Sequence, residues 1–137
     1  MELILLKAFF LSLFILSISS FANEAEVLTV DRVISNTVEF AFDNDKNEKP
    51  KQSDFELRNY IIMSNELGER WALLTVKNQA TGNRILERTH LLALFANGER
   101  SNPTALKLNF TANEMKTVTV SFGENKFPIL SISSGFN

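Results

Sequence analysis

His90 is the only histidine in the 137-residue chain, and there is no cysteine. Proton transfer near neutral pH therefore has one ordinary candidate group, and thiol nucleophiles, thiolate metal sites and redox sensing have none. A Ser-His-acid triad would have to use His90 as its base. The residue stands between Thr89 and Leu91 at the start of an apolar run, and no G-x-S-x-G elbow occurs anywhere to present a serine. A lone histidine in that setting reads as a residue of intermediate burial, so no catalytic residue is assigned.

Asp43–Asp54 (DNDKNEKPKQSD) is the sharper motif. Asp43, Asp45 and Asn47 occupy positions 1, 3 and 5 of a D-x-D-x-N calcium loop, with Asp54 at position 12. Hard oxygen ligands at alternate positions suit Ca²⁺ because a curled loop turns every second side chain inward. Several residues oppose this. Glu48 stands where a glycine makes the sharp turn, Pro50 stiffens the loop, and Lys46, Lys49 and Lys51 bring positive charge. The stretch is read first as a solvated, mixed-charge connector and second as a metal site on Asp43, Asp45, Asn47 and Asp54. No cofactor is expected.

Other chemistry is sparser. Met63 and Met115 with one histidine fall short of a copper site, which needs more soft ligands close together. Asn109-Phe110-Thr111 matches the N-glycosylation sequon, which would require Asn109 at the surface in a eukaryotic secretory route. The eight phenylalanines after residue 22 mostly alternate with polar residues, as inward-facing core does. Trp71 is expected in the core as well, since a sandwich commonly buries one large ring.

These residues sit downstream of a leader-like start. Lys7 precedes the apolar run Ala8–Ile18 (AFFLSLFILSI), and Ser20-Phe21-Ala22 supplies the small residues that signal peptidase reads. Even Leu3–Ile18 is short for a membrane span, and no second apolar run of that length follows. Residues 1–22 are thus expected to be a signal peptide and 23–137 a single domain. That domain keeps 13 basic and 15 acidic residues without a Lys/Arg cluster, so neither nucleic acid nor a membrane is an expected partner. A disulfide-free exported domain of about 115 residues must rest on its core, and it favours a periplasmic location, with an extracellular one as the alternative.

The domain itself reads as strands. Glu26–Val33 is β-branched and apolar, a turn at Ser35-Asn36 follows, and Val38, Phe40 and Phe42 alternate with polar or small residues. Phe55–Leu67 carries two signals. Ser53 and Glu56 have capping-box spacing before a possible helix, whereas Tyr60–Met63 is β-prone and Ser64–Glu69 makes a hairpin loop; the hairpin is favoured. Trp71–Val76, His90–Ala96, Leu106–Phe110, Val118–Phe122 and Phe127–Ser131 are further strands. Turns fall at Asn78–Asn83, Asn97-Gly98, Thr111–Glu114 and Gly123–Asn125. Seven to eight short strands at this spacing predict an all-β, small antiparallel β-sandwich. A membrane barrel is disfavoured, because strands of five to eight residues are short for spanning and there is one Trp and one Tyr.

WALLTVKN, HLLALFANG and TANEMKTVTVSF together resemble three successive strands, with their turns, of immunoglobulin-like sandwich domains in bacterial exported proteins. The resemblance implies an immunoglobulin-like architecture and carries over no functional residue. The expected function is a non-enzymatic exported binding or accessory module. It would engage a protein or peptide partner through an exposed strand edge or through loops such as Asn78–Asn83 and Asn97–Pro103. The rival readings are a calcium-dependent protein using Asp43–Asp54 and a small hydrolase using His90.

Overall fold

The computed structural model describes residues 23–32, 34 and 37–137; the expected leader and the Ser35-Asn36 turn lie outside them. The described chain is all-β, and its nine strands pair only antiparallel. They are β1 (Thr29–Val30), β2 (Phe55–Ser64), β3 (Glu69–Asn78), β4 (Arg84–Glu87), β5 (Leu91–Phe95), β6 (Arg100–Ser101), β7 (Lys107–Phe110), β8 (Met115–Glu124) and β9 (Ile129–Ser134). One sheet has the order β1-β2-β3-β8, a second is β4-β7, and a third is β6-β5-β9.

Alternation builds the core. On β3, Ala72, Leu74, Val76 and Asn78 are buried while the residues between them are partly exposed, the period of a sheet with one wet face. Ala72, Leu74 and Val76 join Phe55, Val120 and Phe122 of the same sheet with Leu86, Leu91, Ala93, Phe95, Phe110, Ile129 and Ile132 of the other two in one cluster. That arrangement is consistent with a small β-sandwich. The buried Asn78 holds the far end together. Its amide nitrogen donates to the carbonyls of Gly82 and Thr111, and its Oδ1 accepts the Ala80 N–H, so no polar atom of this side chain goes unpaired.

Phe55–Leu67 is strand, then turn, as the favoured hairpin reading expects: Ser53 Oγ accepts the Phe55 N–H, Gly68 takes a φ of 80°, and β2 runs ten residues to Ser64. Several other expectations are corrected. Of the described residues of Glu26–Val33, only Thr29–Val30 are strand, after a 3-10 turn at Glu24–Glu26; Val33 lies outside the described residues. Val38–Phe42 forms no strand, since no described strand lies beside it. Phe40 and Phe42 stack at 6.1 Å instead, and Phe40, Phe127 and Phe136 are exposed rather than inward-facing. Arg84–Glu87 and Arg100–Ser101 are strands that the sequence did not reveal. β2, β3 and β8 reach ten residues, longer than expected. Trp71 is half-buried and points out of the sheet, with the parity of Leu73 and Thr75 rather than that of the core residues.

Candidate functional site

His90 closes a 3-10 turn, Arg88–His90, that leads into β5. The imidazole is buried and packs at 5.6 Å on the Phe55 ring. Its Nδ1 accepts the Glu87 N–H at 3.0 Å, which puts the proton of the neutral ring on Nε2 and leaves no free lone pair for a base. Burial, reinforced by the Lys51 ammonium and opposed by Glu87, holds its pKa below 6.5. Among the described residues no serine hydroxyl or carboxylate is hydrogen-bonded to the ring, so its geometry is that of a turn-closing side chain.

The Asp43–Asp54 segment is exposed along most of its length yet tethered at both ends. Asn44 donates to the Asn97 carbonyl at 3.1 Å. Asp45 Oδ1 accepts the Asn47 N–H at 2.8 Å, with Asn47 at a φ of 55°. The Asp45 carboxylate pairs with Arg100 at 3.4 Å, whose guanidinium also reaches the Glu48 carbonyl. Asp54 pairs instead with Arg84 at 2.9 Å. The two carboxylates at loop positions 3 and 12 thus answer to different arginines. Among the described residues no three Asp, Glu or His side chains gather where a metal could sit. At the segment's end, backbone bonds from Lys51 to Thr89 and from Ser53 to Gly135 fasten it to the body.

The feature with the most binding capacity involves none of these residues. β1 covers β2 only at Met63 and Ser64, and the Asp31 N–H takes the Ile62 carbonyl just beyond. Below that point, Phe55–Ile61 has no strand on its outer edge among the described residues. β9 likewise pairs only with β5. Between these edges runs a groove of about 640 Å³, whose apolar lining includes Leu57, Tyr60, Ile62, Leu130 and Ile132. A bulge between Leu57 and Asn59 presents Arg58 at its mouth beside Glu56, at 3.3 Å. The second charge on the groove, Asp31, accepts from Ser64 Oγ at 2.5 Å and lies 3.9 Å from Arg70. Each charge thus has a counter-charge nearby, although Asp31 Oδ2 is buried without a hydrogen-bond partner among the described residues, and the groove offers apolar surface flanked by backbone donors and acceptors.

The edge-strand route is expected from the sequence, but none of its residues is. The only signal was negative, since an edge differs from a central strand in its neighbours rather than in its side chains. The sequon residue Asn109 is exposed on β7. No described helix is long and apolar enough to cross a membrane. Compared with protein-family models, curated proteins and solved structures, the chain finds no significant match.

Proposed function

We propose that this chain is a non-enzymatic, exported binding module, periplasmic once Met1–Ala22 is removed, with an immunoglobulin-like sandwich fold. It takes an extended segment of a partner protein along the open edge of β2, against β9. The observation that carries this reading is the groove itself: two strand edges without a neighbour among the described residues flank an apolar floor of Leu57, Tyr60, Ile62, Leu130 and Ile132. Strand addition draws affinity from main-chain hydrogen bonds and selectivity from pockets for alternate side chains. An apolar, locally neutral groove therefore selects peptides with apolar residues at every second position. The placement of His90 and the separate pairing of Asp45 and Asp54 favour this reading over the hydrolase and calcium readings.

Panning a random peptide library on the purified protein tests it. Selected peptides should show that alternation and should lose binding when Leu130→Arg or Ser133→Arg fills the groove, while Lys107→Glu on β7 leaves binding intact. Peptides indifferent to both groove variants would refute the assignment. Export is tested separately by the intact mass of protein recovered from the cell envelope, which should begin at Asn23.

A further inference from the structure

The outer face of the β1-β2-β3-β8 sheet carries a second pattern, whose apolar residues meet the groove only at Val30 and Ile61. Across the strands, Val30 stands opposite Met63, Met63 opposite Trp71, and Ile61 opposite Leu73, so five large apolar side chains form one continuous strip. Val30 and Ile61 are 64% and 45% exposed. Beside the strip lie the hydroxyls of Thr75, Thr117, Thr119 and Ser121, with Thr75 and Thr117 bonded to each other at 2.9 Å. A solvated sheet face normally alternates with charge. Here charge is confined to the two ends. Read along β3, the outward residues are Glu69, Trp71, Leu73, Thr75 and Lys77. Glu124 stands opposite Glu69 at the acidic end. Glu56 stands opposite Lys77 at the other end, where Arg58 offsets it.

We infer that this face is where a second copy of the chain docks. Acid at one end and base at the other make the face complementary to itself in one orientation: a two-fold axis in the plane of the contact and across the strands. That axis lays the Glu69 and Glu124 end of each copy over the Lys77 end of its partner. The other in-plane axis, along the strands, would set like charge against like, which disfavours it. Ile61 and Leu73 then meet their own copies on the axis, while Met63 and Trp71 lie over Asn59 and Thr75 of the second copy, so no charge falls at the centre. Ten-residue strands are about 33 Å long and lie about 4.8 Å apart, so β2, β3 and β8 give a face roughly 14 Å wide. Two such faces bury on the order of 1,000 Å², the lower end for a specific interface, so the pair is reversible.

Trp71 is the chain's only tryptophan and sits in the strip, which makes it the reporter. Sedimentation of the purified protein from micromolar to millimolar concentration should show a monomer–dimer equilibrium, with Trp71 emission moving to shorter wavelength as dimer forms. Leu73→Glu, checked for an unchanged circular dichroism spectrum, should leave a monomer. Lys77→Glu should weaken association about tenfold by placing acid opposite acid. Glu69→Lys combined with Lys77→Glu should restore it. A chain that stays monomeric throughout, a dimer indifferent to Leu73→Glu, or a double reversal that fails to rescue would each overturn the inference. Because Leu73 lies outside the groove's lining, peptide capture by the monomeric Leu73→Glu variant reports on the groove separately from association.

Discussion

The Asp45 carboxylate lies 3.4 Å from the Arg100 guanidinium, so the position that a calcium loop would give to its ion is answered by an arginine from β6. The sequence placed Asp43, Asp45, Asn47 and Asp54 at calcium-loop spacing, but spacing is silent about what a distant strand brings to the loop. Arg100 is 55 residues away in sequence.

Millimolar Ca²⁺ should therefore leave the thermal melt of the native protein unchanged, because a ligand that binds only the folded state must raise it. Asp45→Ala should cost at most about 1 kcal/mol, as befits a partly exposed pair, and by the same amount with or without calcium. A calcium-dependent rise in Tm that Asp45→Ala removes would restore the metal reading.

His90 sets a pH dependence whose sign is fixed by its environment. Its pKa in the folded state is held below 6.5, first by burial and then by Lys51, whereas the unfolded chain titrates near the ordinary value of about 6.5. Below that value the unfolded state takes up the proton first. The stabilising contribution is thus fully present above about pH 6.5 and is lost as pH falls toward the folded pKa. Denaturant unfolding in this window should show stability declining with acid. His90→Asn, whose Oδ1 can still accept the Glu87 N–H, should flatten that decline. An unchanged slope in the variant would show that other groups carry it.

Gly98 is required twice over. Its φ of 85° lies in the left-handed region, and a Cβ there would overlap the Asn44 side chain and come within 2.8 Å of the Phe42 ring. Gly98→Ala should destabilise the protein by about 2–4 kcal/mol, combining backbone strain with overpacking. Replacing Asn44 and Phe42 with alanine in the same chain should recover the overpacking part and leave the backbone part. Equal stability of Gly98→Ala and the native protein would contradict this contact.

What could be read in the sequence follows the range of the forces involved. Period-two patterns located β7 and β8, short apolar runs located β3 and β5, and Asn97-Gly98 announced its turn, because all of these depend on near neighbours along the chain. Phe55–Leu67 was ambiguous because Ser53 and Glu56 serve a helix cap and a strand equally well. The register of β2 against β3 settled it. Val38–Phe42 misled for the opposite reason. Its alternation is real, but Phe42 is committed to Gly98 and no described strand lies alongside. Trp71 was misplaced because a one-residue change of phase turns a side chain from core to surface. The groove was invisible, since it is made of strand edges that lack a neighbour among the described residues.

The most direct test of the central claim is amide hydrogen exchange, followed residue by residue, on the purified protein with and without a peptide selected from the library. Strand addition predicts slowed exchange between Leu57 and Ile61 on β2 and along Leu130–Ser133 on β9, with Asn78–Asn83 and Asn97–Pro103 unchanged. Protection confined to those two loops, with β2 and β9 unaffected, would contradict it.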